Sequence, residues 1–293
     1  MFEDKIVTSG IFFGIISMLG WGIGDFAIAL ASRKVGILKS LFYNYLVGSF
    51  FLIIFFYFVK LPFTVTSTSF ILSFIGGVLH LFAAFFFYKG LRVGKISLVS
   101  PIASSYSLVI VLAAIIFIKE TLSLIQLVAI GQIIIGNFLI SANIKDLILH
   151  TKFKKNDPGI PYAFLTMFMW GIGFLFINQA VKISGPFIPN LILYITGLVL
   201  FSFYIFIKNV PVSINLERST LTYILVNGAG SALAYTCYSL GIGKNLASVI
   251  SPIASSFPLI TVSLSLVLLK ERISIGQFVG ILLTMAGIII LSL

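Results

Sequence analysis

Charge is what this sequence has least of. Of 293 residues, 19 are Lys or Arg and 8 are Asp or Glu, so only 9% is charged, where a soluble domain carries about a quarter. That excludes an ordinary soluble fold. The single cysteine, Cys237, excludes an internal disulfide and a cysteine cluster for a metal. Two histidines, His80 and His150, are too few and too far apart in sequence for a metal set, so no metal and no other cofactor is expected. What is present is apolar: 59% of the residues, with a mean hydropathy of +1.17. The net charge of +11 comes from basic residues set singly or in small groups between apolar runs. No continuous basic face is there to follow phosphates, so nucleic acid is not an expected partner. The expected partner is the lipid bilayer, and the chain reads as an all-α integral membrane protein.

A membrane helix needs about 20 mainly apolar residues to cross about 30 Å of hydrocarbon. Ten such runs are legible: Ser9–Ala31, Leu38–Val59, Ser69–Leu91, Ile96–Ile118, Leu122–Ala142, Pro161–Val181, Phe187–Ile207, Thr220–Leu240, Leu246–Leu269 and Ile273–Leu293. They leave little chain for a soluble domain. The first run lacks a small-x-small cleavage site and recurs later, so it reads as a span and not as a signal peptide.

The sequence repeats itself. Trp21-Gly22-Ile23-Gly24 returns 149 residues later as Trp170-Gly171-Ile172-Gly173. Ser100-Pro101-Ile102-Ala103-Ser104-Ser105 returns 151 residues later as Ser251-Pro252-Ile253-Ala254-Ser255-Ser256. At that same offset Lys119-Glu120 matches Lys270-Glu271, Gln126 matches Gln277 and Gly136 matches Gly287. Residues 96–142 laid over 247–293 give 17 identities in 47 positions. This divides the chain into 1–142, a basic connecting loop 143–160, and 161–293. Each unit holds five spans. Five is odd, so the second unit enters the membrane from the opposite side, the inverted arrangement that lets a carrier rock one half against the other. Odd-numbered connections carry fourteen Lys and Arg against five for the N-terminus and even-numbered ones, which places both termini outside.

The duplicated Trp-Gly element, Ser-Pro-Ile-Ala-Ser-Ser opening the fourth span, Lys-Glu after it and the Gln/Gly helix that follows resemble the EamA family of the drug/metabolite transporter superfamily. The resemblance covers both halves. It implies a ten-helix fold with a central cavity lined by helices 1, 3 and 4 of each half, and secondary transport of small solutes such as amino acids, other metabolites or drugs. A prokaryotic plasma membrane, export, and either a monomer or a homodimer fit that picture.

Asp25 is the one charge deep inside a span. A carboxylate there costs at least about 2.5–3.5 kcal/mol on insertion scales, so it faces a cavity or a partner. As substrate or proton site it would carry function; capped by neighbouring hydroxyls it would be structural. Its repeat-related position is Phe174, so the scaffold itself does not need the acid. His80 lies mid-span with Ala84 and Tyr88 on the same face, and reads either as a titratable cavity wall or as a packed histidine. Pro101, Pro252 and Pro258 mark helix breaks in spans 4 and 9, with Ser104, Ser105, Ser255 and Ser256 offering spare hydrogen-bonding groups, and read either as a substrate-contacting hinge or as a kink needed for packing. Trp21 and Trp170 sit near mid-span, away from the interfaces where tryptophan usually anchors. Asn178 and Gln179, with Tyr235 and Tyr238, are the polar candidates of the second half. Trp21, Asp25, His80, Tyr88, Ser104, Trp170, Asn178, Tyr235 and Ser255 are therefore the expected substrate-binding set, with Asp25 also the candidate for proton coupling. Glu120 and Glu271 read as interfacial anchors, and Cys237 as a packing residue.

Gly22-Ile23-Gly24-Asp25 matches the Gly-x-Gly-Asp signature of intramembrane aspartyl proteases. That chemistry needs a second carboxylate to share the proton, and no other span offers one. His-Glu-x-x-His and Gly-x-Ser-x-Gly are also absent, so an enzyme is not expected. A passive facilitator or lipid flippase of the same fold stands as the alternative to a coupled carrier. With one acid and no mid-membrane Lys or Arg, strong anions are disfavoured against neutral, zwitterionic or cationic metabolites.

Overall fold

The computed structural model describes residues 2–60, 63–94, 96–141, 157–210, 217–270 and 274–292, with backbone alone for 2–9, 37, 59, 91–92 and 96–98. Among the described residues there is helix and short connection and no strand. The helices are α1 (Phe2–Val35), α2 (Ile37–Val59), α3 (Ser67–Val93), α4 (Ile96–Ser104), α5 (Tyr106–Ile116), α6 (Leu124–Ser141), α7 (Ile160–Ser184), α8 (Ile188–Ile207), α9 (Arg218–Ile242), α10 (Ala247–Ala254), α11 (Phe257–Leu268) and α12 (Ile275–Ser292). Among these residues nine stretches are long and apolar enough to cross a bilayer, with α4–α5 and α10–α11 each forming one broken stretch. Most of the expected connection 143–160 lies outside the described residues.

The helix that falls short on apolarity is α9, which covers the expected span Thr220–Leu240. The reason is where its polar side chains go. Thr220, Asn227, Ser231, Thr236, Tyr238 and Ser239 are all buried: Asn227 Nδ2 donates to Gly24 O of α1 at 3.0 Å, Asn190 Nδ2 of α8 donates to the Ser239 hydroxyl at 2.7 Å, and the Tyr238 and Ser251 hydroxyls, the latter on α10, pair at 2.9 Å. A helix sheltered by its neighbours need not be lipid-soluble all round. It runs antiparallel to α1 along most of that helix: Gly24 meets Asn227, Gly20 meets Gly230 and Gly10 meets Asn245. At one end Lys34 Nζ lies 2.8 Å from Glu217 Oε2, which holds that exposed carboxyl below its usual range.

The repeated residues have structural causes. Gln126 and Gln277 close reciprocal caps: Ser123 N donates to Gln126 Oε1 at 3.0 Å and Ser274 N to Gln277 Oε1 at 2.9 Å. Each serine hydroxyl accepts the glutamine amide in return, at 3.2 Å in both places. Lys119 and Lys270 end the preceding helices in left-handed backbone, with φ of 63° and 54°.

The two halves exchange contacts as a two-fold axis requires. A Cβ on Gly22 would collide with Ile260, and one on Gly171 with Val109; Ile260 and Val109 are themselves repeat-related. Likewise Gly48 lies against the Tyr194 ring and Gly197 against the Tyr45 ring. Gly136 meets Thr284, while Gly287 meets Ile133. In each pair, adding the repeat offset turns one contact into the other. Small residues at these crossings let helix backbones approach closely.

Glu120 is more than an anchor. Its carboxylate accepts hydrogen bonds from Ala247 N at 3.1 Å and Ser248 N at 3.0 Å, and from the Ser248 hydroxyl. It thus caps the first turn of α10, in the other half, where the helix dipole also favours negative charge. Glu271 lies outside the described residues. Glu120→Ala should lower stability by about 1–3 kcal/mol, read as a lower melting temperature of the purified protein, with Glu120→Gln recovering part of it. No change in melting for Glu120→Ala would reject the cap.

Candidate functional site

The largest buried cluster draws on α1, α2, α5, α7, α8, α9 and α10, and its centre is aromatic. Trp21 is its hub: its ring centroid lies 5.0 Å from Tyr235, 5.6 Å from Tyr238, 5.8 Å from Phe174 and 6.4 Å from Phe257. Its repeat partner Trp170 sits 5.4 Å from Phe87 and 5.9 Å from Tyr106. The two tryptophans keep matching geometry. Trp21–Tyr238 and Trp170–Phe87 are tilted by 43° and 46°, and Trp21–Phe257 and Trp170–Tyr106 are edge-on at 77° and 70°.

The symmetry breaks among the rings. On one side of the two-fold, Tyr106, Phe174 and Tyr235 form a stack, with centroids 5.3 and 6.1 Å apart and planes within 18° of parallel. Their repeat-related residues are Phe257, Asp25 and Ala84. A carboxylate and a methyl replace two of the three rings. Phe174 is 4% exposed, whereas Asp25 is only half-buried and its oxygens are not sealed off. Among the described residues it has no salt-bridge partner and no hydrogen-bond donor. It lies within electrostatic reach of Tyr88, Tyr106, Tyr194 and Tyr235. No hydrogen-bond partner is found for the hydroxyls of Tyr88, Tyr106 and Tyr235 among the described residues, and none of the three is sealed. A carboxylate and three phenols without partners among the described residues thus lie near one another between the helices, each still partly accessible.

The other expected site residues divide. His80 is buried, edge-on to Phe174 at 4.6 Å, with its Nδ1 buried and without a hydrogen-bond partner among the described residues. Asn178 is 1% exposed, and its amide nitrogen and oxygen are buried without a hydrogen-bond partner among the described residues. Both belong to the wall behind the rings. Ser104 and Ser255 turn their hydroxyls to the carbonyls of Pro101 at 3.1 Å and Pro252 at 3.0 Å in their own helices, and Ser104 also meets the Ser141 hydroxyl of α6 at 3.3 Å. Ser105 and Ser256 reach the same two carbonyls at 2.8 and 2.9 Å, because the next amides bond one residue short: Ser105 N to Ile102 O and Ser256 N to Ile253 O. The serines therefore compensate the breaks. The breaks lie at Ser105 and Ser256, four residues beyond Pro101 and Pro252. Pro258 is not a breaker: it sits in the first turn of α11, where proline is tolerated, and α5 starts at the same place with Ser107 instead. Cys237 is buried and unpaired, a packing residue.

Sequence reading did not select Tyr106, Phe174, Phe257 or Ala84. The signal was available, since each is the repeat partner of another residue in the cluster. Periodicity in a Phe-rich chain could not separate them from lipid-facing bulk such as Phe50, Phe58 and Phe203, which are exposed.

Comparison with known proteins decides the family. The model of the EamA-like transporter family matches residues 8–142 and again 157–293. The chain belongs to the EamA-like transporter family. An uncharacterised protein of the archaeon Methanocaldococcus jannaschii is 32% identical over 142 residues, covering 47% of this chain and 98% of that protein. That relative is about as long as one of the two matched repeats. A crystal structure of a protein at 16% identity superposes with a TM-score of 0.76, covering 97% of this chain and 98% of the other, a likeness of fold alone. This EamA-like chain is thus a multi-pass integral membrane protein of a transporter family.

Proposed function

We propose that the protein is a secondary transporter with ten spans in two inverted five-span repeats, divided as 1–142, 143–160 and 161–293. It moves small neutral, zwitterionic or cationic metabolites by alternating access around the Trp21–Trp170 space. The observation that carries the reading is the broken symmetry there: a two-fold scaffold in which one position alone exchanges a packed ring for an accessible carboxylate. The connections support the topology. Lys34 with Glu217 and Gly94 with Gly159 join odd-numbered connections, while Thr64 with Ile183 and Ser184, and Glu120 with Ser248, join even-numbered ones. Among the described residues no such contact mixes the two sets, as required if α9 crosses the membrane like its neighbours. The Lys/Arg bias puts the termini outside a prokaryotic plasma membrane, and export coupled to proton entry at Asp25 is the reading of direction.

A passive facilitator or lipid flippase is the second reading. Counterflow in proteoliposomes separates them: a carrier preloaded with unlabelled solute transiently accumulates labelled solute from outside. Transient accumulation of at least one small metabolite is expected. Equilibration without overshoot for every permeant solute would reject the carrier.

A further inference from the structure

The stack of three rings on one side of the two-fold, Tyr106–Phe174–Tyr235, has as its counterpart Phe257–Asp25–Ala84. Two rings' worth of side chain is missing beside an accessible carboxylate. We propose that this gap binds a monovalent ammonium ion carrying one aromatic ring, an arylalkylamine, whose ring lies between Phe257 and Ala84 and whose nitrogen pairs with Asp25. The proposal rests on the reading of this space as the transport chamber and narrows its substrate class.

Three observations favour that ligand over its neighbours in chemistry. First, a cation satisfies what the site leaves unmet: a carboxylate without a donor and phenol oxygens of Tyr88, Tyr106 and Tyr235 without partners, with the faces of aromatic rings around them. Ring faces attract organic cations, by about 2 kcal/mol or more when water is excluded. Second, no Lys or Arg is buried among the described residues, so a zwitterionic amino acid would bring a carboxylate with no cation to meet it. Third, no group of three or more His, Cys, Asp or Glu is found among the described residues, and one carboxylate falls short of the oxygen shell a hard metal ion needs. A ring on the ligand restores the stacking that Phe174 and Tyr235 supply on the opposite side.

The test is isothermal titration of the purified protein in lipid nanodiscs with phenethylammonium. Alongside it run 2-phenylethanol, methylammonium, phenylacetate and phenylalanine, which remove the charge, remove the ring, invert the charge or add a carboxylate. Phenethylammonium should bind at least about 30-fold more tightly than 2-phenylethanol, the ratio that about 2 kcal/mol gives, and more tightly than the other three. It should also quench the emission of the chain's two tryptophans, both at the site. Asp25→Asn should bring amine and alcohol to within about threefold of each other, while Asp25→Glu keeps the preference. Ala84→Tyr, which refills the gap, should abolish binding of the ring-bearing amine. Equal affinity for amine and alcohol in the unmodified protein, or tighter binding of phenylalanine or phenylacetate, would overturn the proposal whatever the variants do. Counterflow of some other solute alongside that result would leave the transporter reading standing, and its absence would remove both.

Discussion

Asp25→Asn should abolish uphill transport driven by a pH gradient in proteoliposomes while leaving folding and insertion intact. The expectation follows from the neighbourhood of the carboxylate. Among the described residues no basic side chain holds it and no donor caps it, yet it is accessible within the helix cluster. A carboxylate with a permanent cationic partner would stay charged through a transport cycle. One that faces a space can take a proton in one state of the carrier and a substrate in the other, so the two compete for a single site. That competition is sufficient for exchange of one against the other. The asparagine retains size and polarity and cannot carry the proton. His80 is the other titratable group of interest, packed edge-on to Phe174 and 6.2 Å from Tyr235. His80→Gln should therefore preserve coupling. The phenols of Tyr88, Tyr106, Tyr194 and Tyr235, within reach of Asp25, ionise ordinarily near pH 10 and do not supply a coupling proton. Accumulation by Asp25→Asn with unchanged dependence on the pH gradient would make the acid structural. Loss in His80→Gln alone would move coupling to the imidazole.

How much of this was legible beforehand depends on the kind of signal. Long apolar runs and a repeated block of Ser-Pro-Ile-Ala-Ser-Ser depend only on the chain itself, and they located the helices and both breaks. The sequence misled at Pro258, because proline in an apolar run looks like a breaker until the helix is seen to start at Phe257. Ser104 and Ser255 looked like ligand groups for a similar reason. A hydroxyl in a membrane helix bonds either a solute or a backbone carbonyl one turn back, and only geometry shows that theirs bond Pro101 and Pro252. α9 illustrates the reverse error of a hydropathy scale: its Asn, Ser and Thr look too polar for a span until most of them are seen buried among the neighbouring helices. The stack of Tyr106, Phe174 and Tyr235 comes from three different helices. One strand of text does not bring such residues together, although the repeat offsets link each to its counterpart.

Gly22→Ala should be the most destabilising single-methyl change in α1, and Gly131→Ala in α6 should be harmless. A Cβ at Gly22 would fall on Ile260, within 2.9 Å of the Phe257 carbonyl oxygen, so the backbone of α11 blocks relief by a simple rotamer change. Overpacking of this kind costs about 1–3 kcal/mol and more where backbone must move. A Cβ at Gly131 meets nothing within 4 Å, so alanine there gains about 1 kcal/mol of helix propensity. The two-fold makes the experiment stricter. Gly171 lies against Val109 and the Tyr106 carbonyl oxygen as Gly22 lies against Ile260 and that of Phe257, so Gly171→Ala should lower the melting temperature by a similar amount. The double variant should lose about the sum, because the two crossings share no side chain and add independently. Thermal unfolding of the four purified proteins reads all of this at once. A Gly22 variant as stable as the Gly131 variant would mean that α1 and α11 do not cross closely. Unequal losses at Gly22 and Gly171 would mean that the halves are not equivalent at the helices that frame the space around Asp25.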